Sequence, residues 1–182
     1  MKQRRVFIGI NLPNQVKKRL AQKIEKWRDL PVRWTLEENL HITLAFLGYI
    51  EDSVLPDVCS AVREASCQFH GFDLELSKIT FGPNVNQIRM VWAVGEPNEE
   101  LKLIQEEIEK RLKIFEREKR EFRPHVTLGR IRKEKWARLP ETPAIDEKIN
   151  LLVPVESIEI LESVMEEGKR KYLLLESCPL GR

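Results

Sequence analysis

Two rhythms of apolar residues run along this chain, and the switches between them mark its elements. Val6–Asn11 is a short, nearly unbroken apolar run, the pattern of a buried strand. Pro13 suits the first turn of a helix, and Val16, Leu20, Ile24 and Trp27 then recur on one helical face. Val32–Thr35 reads as a short strand. Asn39-Leu40 leads into the largely apolar stretch His41–Leu47, which Gly48 ends. Leu55, Val58, Val62 and Ala65 predict a second helix. Phe72, Leu74 and Leu76 alternate with Asp73, Glu75 and Ser77, as a half-exposed strand requires. Gly82-Pro83-Asn84 carries turn residues, and Ile88, Met90, Trp92 and Val94 form the next strand. A third helix has Leu101, Ile104, Ile108, Leu112 and Phe115 in one stripe. Glu99 and Glu100 sit near its start, and Lys113 and Arg117 near its end, the order that the helix dipole favours. Pro124 opens the strand His125–Ile131. Arg132–Ile145 reads as a polar connection, and Ile149–Val155, Ile158–Ser163 and Tyr172–Glu176 as late strands, the last two joined around Gly168.

The order is therefore β-α-β-β-α-β-β-α-β with further strands, which predicts an α+β fold of mostly antiparallel sheets. A chain of 182 residues holds one domain or two small lobes, and can bury a core without disulfides or a structural metal. Its formal net charge of +2 is too balanced for a wholly basic nucleic-acid binder, so any RNA contact must come from local clusters. Cys59, Cys67 and Cys178 are odd in number and form no C-x-x-C pair, which argues against a disulfide framework and for a reducing cytoplasm. The apolar run Val6–Ile10 is too short for a signal segment or a membrane span.

The chemistry-bearing feature is internal. Asn39-Leu-His-Ile-Thr-Leu-Ala-Phe-Leu-Gly48 is similar to Arg123-Pro-His-Val-Thr-Leu-Gly-Arg-Ile-Arg132. The separation is too long for a solenoid repeat and suits two related lobes that each offer one strand to a shared cleft. Residues i and i+2 of a strand face the same way, about 7 Å apart, so His41 projects with Thr43 and His125 with Thr127. Ile42, Leu44, Val126 and Leu128 point the other way, into apolar packing. Two imidazoles at one phosphate make an acid–base pair, since histidine supplies both proton states near neutrality. The threonine hydroxyls can donate to non-bridging phosphate oxygens. A lone strand histidine is ordinarily structural; it is the repetition, in two of only three histidines, that points to catalysis. His70, beside Gly71, has no such context and reads as surface. A metal site would need further ligands; no H-E-x-x-H or His-x-His occurs, although glutamates are plentiful.

These paired motifs resemble the 2H phosphoesterase superfamily, and within it the RNA 2′,3′-cyclic phosphodiesterases, also called 2′-5′ RNA ligases. The resemblance runs nearly end to end: Val6-Phe-Ile-Gly-Ile-Asn-Leu-Pro13, Arg33-Trp34, the two motif segments, Arg89-Met-Val-Trp92 and Leu161-Glu-Ser163. It implies a bilobal fold with a cleft between two antiparallel sheets and helices outside. It implies hydrolysis of a terminal 2′,3′-cyclic phosphate to a 2′-phosphomonoester, with no metal or other cofactor. By that likeness His41 would be the general acid and His125 the general base, an assignment the nearly symmetric motifs do not themselves make. The same chemistry reversed would join tRNA halves through a 2′-5′ linkage. A cytoplasmic monomer is expected.

Phe46 and Arg130 share an offset, five residues after each histidine. In the family these positions lie near the bound nucleotide, so Phe46 is a candidate to stack a base and Arg130 to pair with a phosphate. Strict alternation puts both on the face opposite the histidines, so that role requires a bulge; otherwise Phe46 reads as core. Arg132, Lys133, Lys135 and Arg138 extend a basic run from Arg130, and Lys169–Lys171 form another; each reads as a solvated loop unless it borders the cleft. Arg89 is a further candidate that an exposed strand face explains equally well. Two other functions fit the motifs: the same chemistry on ADP-ribose cyclic phosphate or 2′-5′ oligoadenylates, and a non-catalytic RNA-binding module.

Overall fold

The apolar periodicities resolve into nine strands and four α-helices in a computed structural model that describes residues 2–84, 86–113 and 122–181. The elements are β1 (Gln3–Asn11), α1 (Asn14–Ile24), β2 (Val32–Trp34), β3 (His41–Glu51), α2 (Leu55–Ser66), β4 (Phe72–Asn84) and β5 (Gln87–Gly95). They continue with α3 (Glu99–Arg111), β6 (His125–Ile131), α4 (Lys133–Trp136), β7 (Asp146–Val155), β8 (Ser157–Glu166) and β9 (Lys169–Pro179).

The strands run in the order β7-β4-β5-β6-β3-β1-β8-β9, with β2 added beside β6. Every ladder between neighbours is antiparallel. The sheet is thin at its middle, where β3 meets β6 through one registered pair, Ile42 with Val126. Four strands lie on the β3 side of that junction and, with β2, five on the β6 side, the mostly antiparallel α+β architecture expected. The helices carry apolar stripes onto one face of the strands: Leu20 and Ile24 of α1, Val58 and Val62 of α2, and Leu101, Ile104 and Ile108 of α3 join one core with Ile42, Leu44, Val126 and Leu128. The helices also tie the halves together. Lys23 of α1 and Lys26, in the single turn that follows it, both pair with Glu147 of β7, and Gln105 Nε2 of α3 donates to the Leu44 carbonyl of β3 at 3.0 Å.

Several expectations are corrected. Gly82-Pro83-Asn84 is no turn: β4 runs through it, and the turn follows, with the Asn84 side-chain oxygen accepting from the backbone of Asn86 and Gln87. The polar connection after Arg132 contains the short helix α4, and β7 begins at Asp146 rather than Ile149. Lys169–Lys171 open β9 rather than a loop; Lys171 pairs with Glu166, and Arg170 donates to Ser163 Oγ at 2.6 Å. The predicted helix positions Phe115 and Arg117 lie outside the described residues. The turn at Gly168 is as expected: its φ of +74° is a conformation that glycine adopts without strain. His70 is exposed, as read. All three cysteines are free. Among the described residues no helix is long and apolar enough to cross a membrane.

Candidate active site

The pairing of Ile42 with Val126 decides where the motifs go. Both side chains are fully buried on the helix side. Strand alternation therefore turns their neighbours, His41, Thr43, His125 and Thr127, to the opposite face. Because β3 and β6 are antiparallel, His41 comes alongside Thr127 and Thr43 alongside His125. The two histidines thus take diagonal corners of a four-residue arrangement, and diagonal neighbours across antiparallel strands lie about 7–8 Å apart.

Each motif strand then breaks its alternation at the same place. In the β1–β3 ladder Ile8 faces Ala45 and Gly9 faces Thr43, so Leu44 is the extra residue of a bulge. In the β5–β6 ladder Val91 faces Gly129 and Trp92 faces Thr127, so Leu128 is the extra residue. Leu44 and Ala45 are both buried, as are Leu128 and Gly129. A bulge of one residue reverses the facing of everything beyond it. Phe46 and Arg130 therefore return to the face of the histidines, both exposed. Phe46 is 55% exposed, which overturns its reading as core. Its ring centroid is 6.1 Å from that of Phe7.

The histidines are held by their own backbones and by aromatic neighbours. His41 Nδ1 lies 2.7 Å from the Asn39 carbonyl oxygen, and His125 Nδ1 lies 2.9 Å from that of Arg123. A carbonyl only accepts, so each Nδ1 carries a hydrogen and donates, leaving Nε2 as the nitrogen that exchanges protons. His41 Nε2 is 3.0 Å from Thr43 Oγ1. The His41 ring packs against Phe7 at 4.8 Å and the edge of Tyr172 at 4.9 Å. His125 stacks on Trp92 at 3.9 Å. Asn39 secures the first histidine further, since its side-chain amide donates to the Arg170 carbonyl of β9 at 2.7 Å. Burial lowers the pKa of both imidazoles, against the raising effect of the carbonyl bonds. For His41, positive charge on Lys17 and on His125 lowers it further.

Lys17, Phe7, Trp92 and Tyr172 were not singled out by motif. A signal existed for Lys17: it stands three before Leu20 and seven before Ile24, on the apolar face of α1. It is only 5% exposed, and its ammonium donates to the Glu38 carbonyl at 2.9 Å. Of the weaker candidates, Arg89 is exposed and is the extra residue of a bulge in the β4–β5 ladder, where Met90 faces Gly82 and Ile88 faces Pro83. Arg132, Lys133, Lys135 and Arg138 are exposed on and around α4. Among the described residues no group of three or more His, Cys, Asp or Glu side chains is arranged to hold a metal ion.

The likeness to known proteins is broad. An RNA 2′,3′-cyclic phosphodiesterase of Thermotoga maritima is 28% identical over 96% of this chain and 94% of its own length. One from Methanocaldococcus jannaschii is 30% identical over 70% of this chain and 72% of its own. Among solved structures, a Thermus thermophilus protein superposes with a TM-score of 0.79 at 25% identity, covering 97% of both chains. Escherichia coli LigT complexed with NADP+ shares the fold, with a TM-score of 0.80 at 22% identity over 100% of both chains. The sequence pattern of the 2′-5′ RNA ligase superfamily matches residues 16–165, a span that contains both motifs, and the chain belongs to that superfamily.

Proposed function

We propose that this protein hydrolyses RNA 2′,3′-cyclic phosphate ends to 2′-phosphomonoesters with His41 and His125 as an acid–base pair and without a metal ion. The observation that carries the reading is the single pair Ile42–Val126, which turns both His-x-Thr motifs to one face. The relatives named RNA 2′,3′-cyclic phosphodiesterase support the substrate class. His125 Nε2 takes a proton from water as its oxygen attacks phosphorus. The bond from phosphorus to the ribose O3′ breaks, and His41 Nε2 gives its proton to that oxygen; this assignment of acid and base follows the family likeness. Solvent exchange then resets both rings. Thr43 and Thr127 donate hydrogen bonds to the two non-bridging oxygens, where charge grows in the transition state. Phe46 stacks the terminal base and Arg130 pairs with phosphate. With a ribose 5′-hydroxyl in place of water, the same steps join RNA halves, those of a cleaved tRNA included, through a 2′-5′ linkage.

The test is product analysis on a cyclic-ended oligonucleotide in excess EDTA. A 2′-phosphate product is expected. Each proton transfer contributes roughly 10²–10⁴-fold, so His41→Ala and His125→Ala should each lose at least that much. Wild-type turnover by either variant would remove the two-histidine mechanism. Loss of activity in EDTA with recovery on adding zinc would remove the metal-free claim.

A further inference from the structure

Two arginines stand directly opposite each other beside the candidate site. Arg33 of β2 is the registered partner of Arg130 of β6, and both are exposed. Arg130 is also registered with Met90 of β5, whose Sδ its Nη1 meets at 3.6 Å. Met90 lies two residues from Trp92, which stacks on His125. Arg33, Arg130 and Met90 therefore form a row on the face that presents the histidines. Like charges directly opposite on neighbouring strands repel. Among the described residues no carboxylate lies within ion-pairing distance of either guanidinium; Arg4, Arg28, Arg63 and Arg111 all have such partners. An uncompensated pair of forked donors is a receptor for an anion with several acceptor oxygens.

We propose that Arg33 and Arg130 together hold the phosphodiester on the 5′ side of the terminal nucleotide, so that the site takes the end of an RNA chain in preference to a lone nucleoside cyclic phosphate. The proposal rests on the reading that the cyclic phosphate lies between His41 and His125. From Thr127 to Arg130, with Leu128 bulged out, is two strand steps, about 7 Å, and the arginine stems extend that reach. The terminal nucleotide spans this gap: its cyclic phosphate stays with the histidines, its base can reach Phe46 on the other strand, and its 5′ oxygen points along β6. Arg33 thereby sets specificity and takes no part in bond breaking.

Calorimetric titration with adenosine 2′-monophosphate and adenosine 2′,5′-bisphosphate isolates the second phosphate. The wild type should bind the bisphosphate at least about tenfold more tightly at low salt, the gain of charge-assisted hydrogen bonds. Arg33→Gln should lose most of that ratio, and Arg33→Lys should keep part of it, having charge without the fork. The wild-type preference should shrink as salt rises. A wild-type ratio near one, or a ratio that Arg33→Gln leaves intact, would overturn the subsite. Arg33→Gln should not lower Tm, since it relieves a repulsion; a clear fall would assign Arg33 a structural role instead, and would also overturn it. In turnover, adenosine 2′,3′-cyclic phosphate and its 5′-phosphorylated form should show the same ratio in kcat/KM. If the wild type turns over neither, the hydrolase reading fails, and the affinity ratio still decides the subsite.

Discussion

The indole of Trp92 lies flat against the imidazole of His125, their centroids 3.9 Å apart and their planes 24° from parallel. Gly82 of β4 makes room for it: a Cβ there would fall 2.3 Å from an indole carbon. The stack fixes the second torsion of His125, which its single backbone hydrogen bond leaves partly free. Trp92→Phe, which keeps an aromatic plane, should stay within a few-fold of wild-type kcat. Trp92→Leu should lose about tenfold or more, the sensitivity expected when a reacting group loses its orientation. The ring protons of His125 should resonate upfield in the wild type and return to ordinary shifts in Trp92→Leu. Equal kcat in all three proteins would make the stack mere packing.

Lys17 offers a test of the electrostatics. Its ammonium sits behind His41, bonded to the Glu38 carbonyl next to the Asn39 carbonyl that orients the ring. Glu37 and Glu38 are the acids that bear on Lys17, and Arg170 and Tyr172 of β9 are the other polar neighbours of the Asn39–His41 corner. Both catalytic candidates have pKa values below the free-imidazole value, first through burial. The state with one charged and one neutral ring is then populated mainly below about pH 6.5. The bell of kcat/KM should accordingly centre on the acid side of neutrality. Lys17→Met removes a positive charge, so His41 should hold its proton to higher pH, while Lys17→Arg should leave it in place. The sign for stability follows: the folded histidines refuse protons that the unfolded chain accepts, so stability present above about pH 6.5 should decline as pH falls. If Lys17→Met leaves the His41 titration by NMR unmoved, its charge does not reach the ring.

The polar face of each motif was legible because His41 and Thr43 alternate with Ile42 and Leu44, and His125 and Thr127 with Val126 and Leu128. Phe46 and Arg130 were less so, because facing is counted along a strand and a bulge resets the count. The cue was small: Ala45 and Gly129 each follow a buried leucine, so two inward residues come in succession. Gly129 tolerates that position since a Cβ would meet Val32 at 2.5 Å and Trp34 at 2.9 Å. The partners of the histidine rings were illegible from local pattern. Which aromatic meets His125 depends on the register of β5 with β6, and Tyr172 reaches His41 only after β8 and β9 pair beside β1. Such contacts are set by tertiary pairing, to which periodicity is blind.

Phe46 separates binding from stability. It is 55% exposed, with the ring of Phe7 its one registered aromatic neighbour. Stacking of a base on an aromatic side chain contributes about 1–3 kcal/mol. Phe46→Ala should therefore raise KM for a cyclic-ended RNA by roughly 5–100-fold and change Tm by little. Phe46→Tyr should bind nearly as the wild type does. A large fall in Tm with unchanged KM would restore the packing role that strand alternation suggests.

Gly9 controls how closely the first motif strand can approach. It is the registered partner of Thr43, and a Cβ at this position would come 2.5 Å from the Ile42 carbonyl oxygen. That oxygen is backbone, so it cannot rotate aside; β3 itself must move. Ile42 is also the residue that joins the two halves to Val126, so the displacement falls on the junction that sets the separation of His41 and His125. Gly9→Ala should cost about 1–3 kcal/mol, as overpacking does, or roughly 2–10 °C in Tm at this size. Its effect on kcat should exceed what the lost stability explains, because a displacement well under 1 Å at one of two converging rings already slows the reaction. The comparison that isolates the cause is Gly181→Ala, whose Cβ would meet the Cys67 carbonyl at 2.7 Å, just past the end of α2. Both variants should lose stability to a similar degree, and Gly9→Ala should lose the greater share of turnover. Equal losses of turnover would mean that strain anywhere in the fold slows the reaction, and that the spacing at Ile42–Val126 is not what governs it.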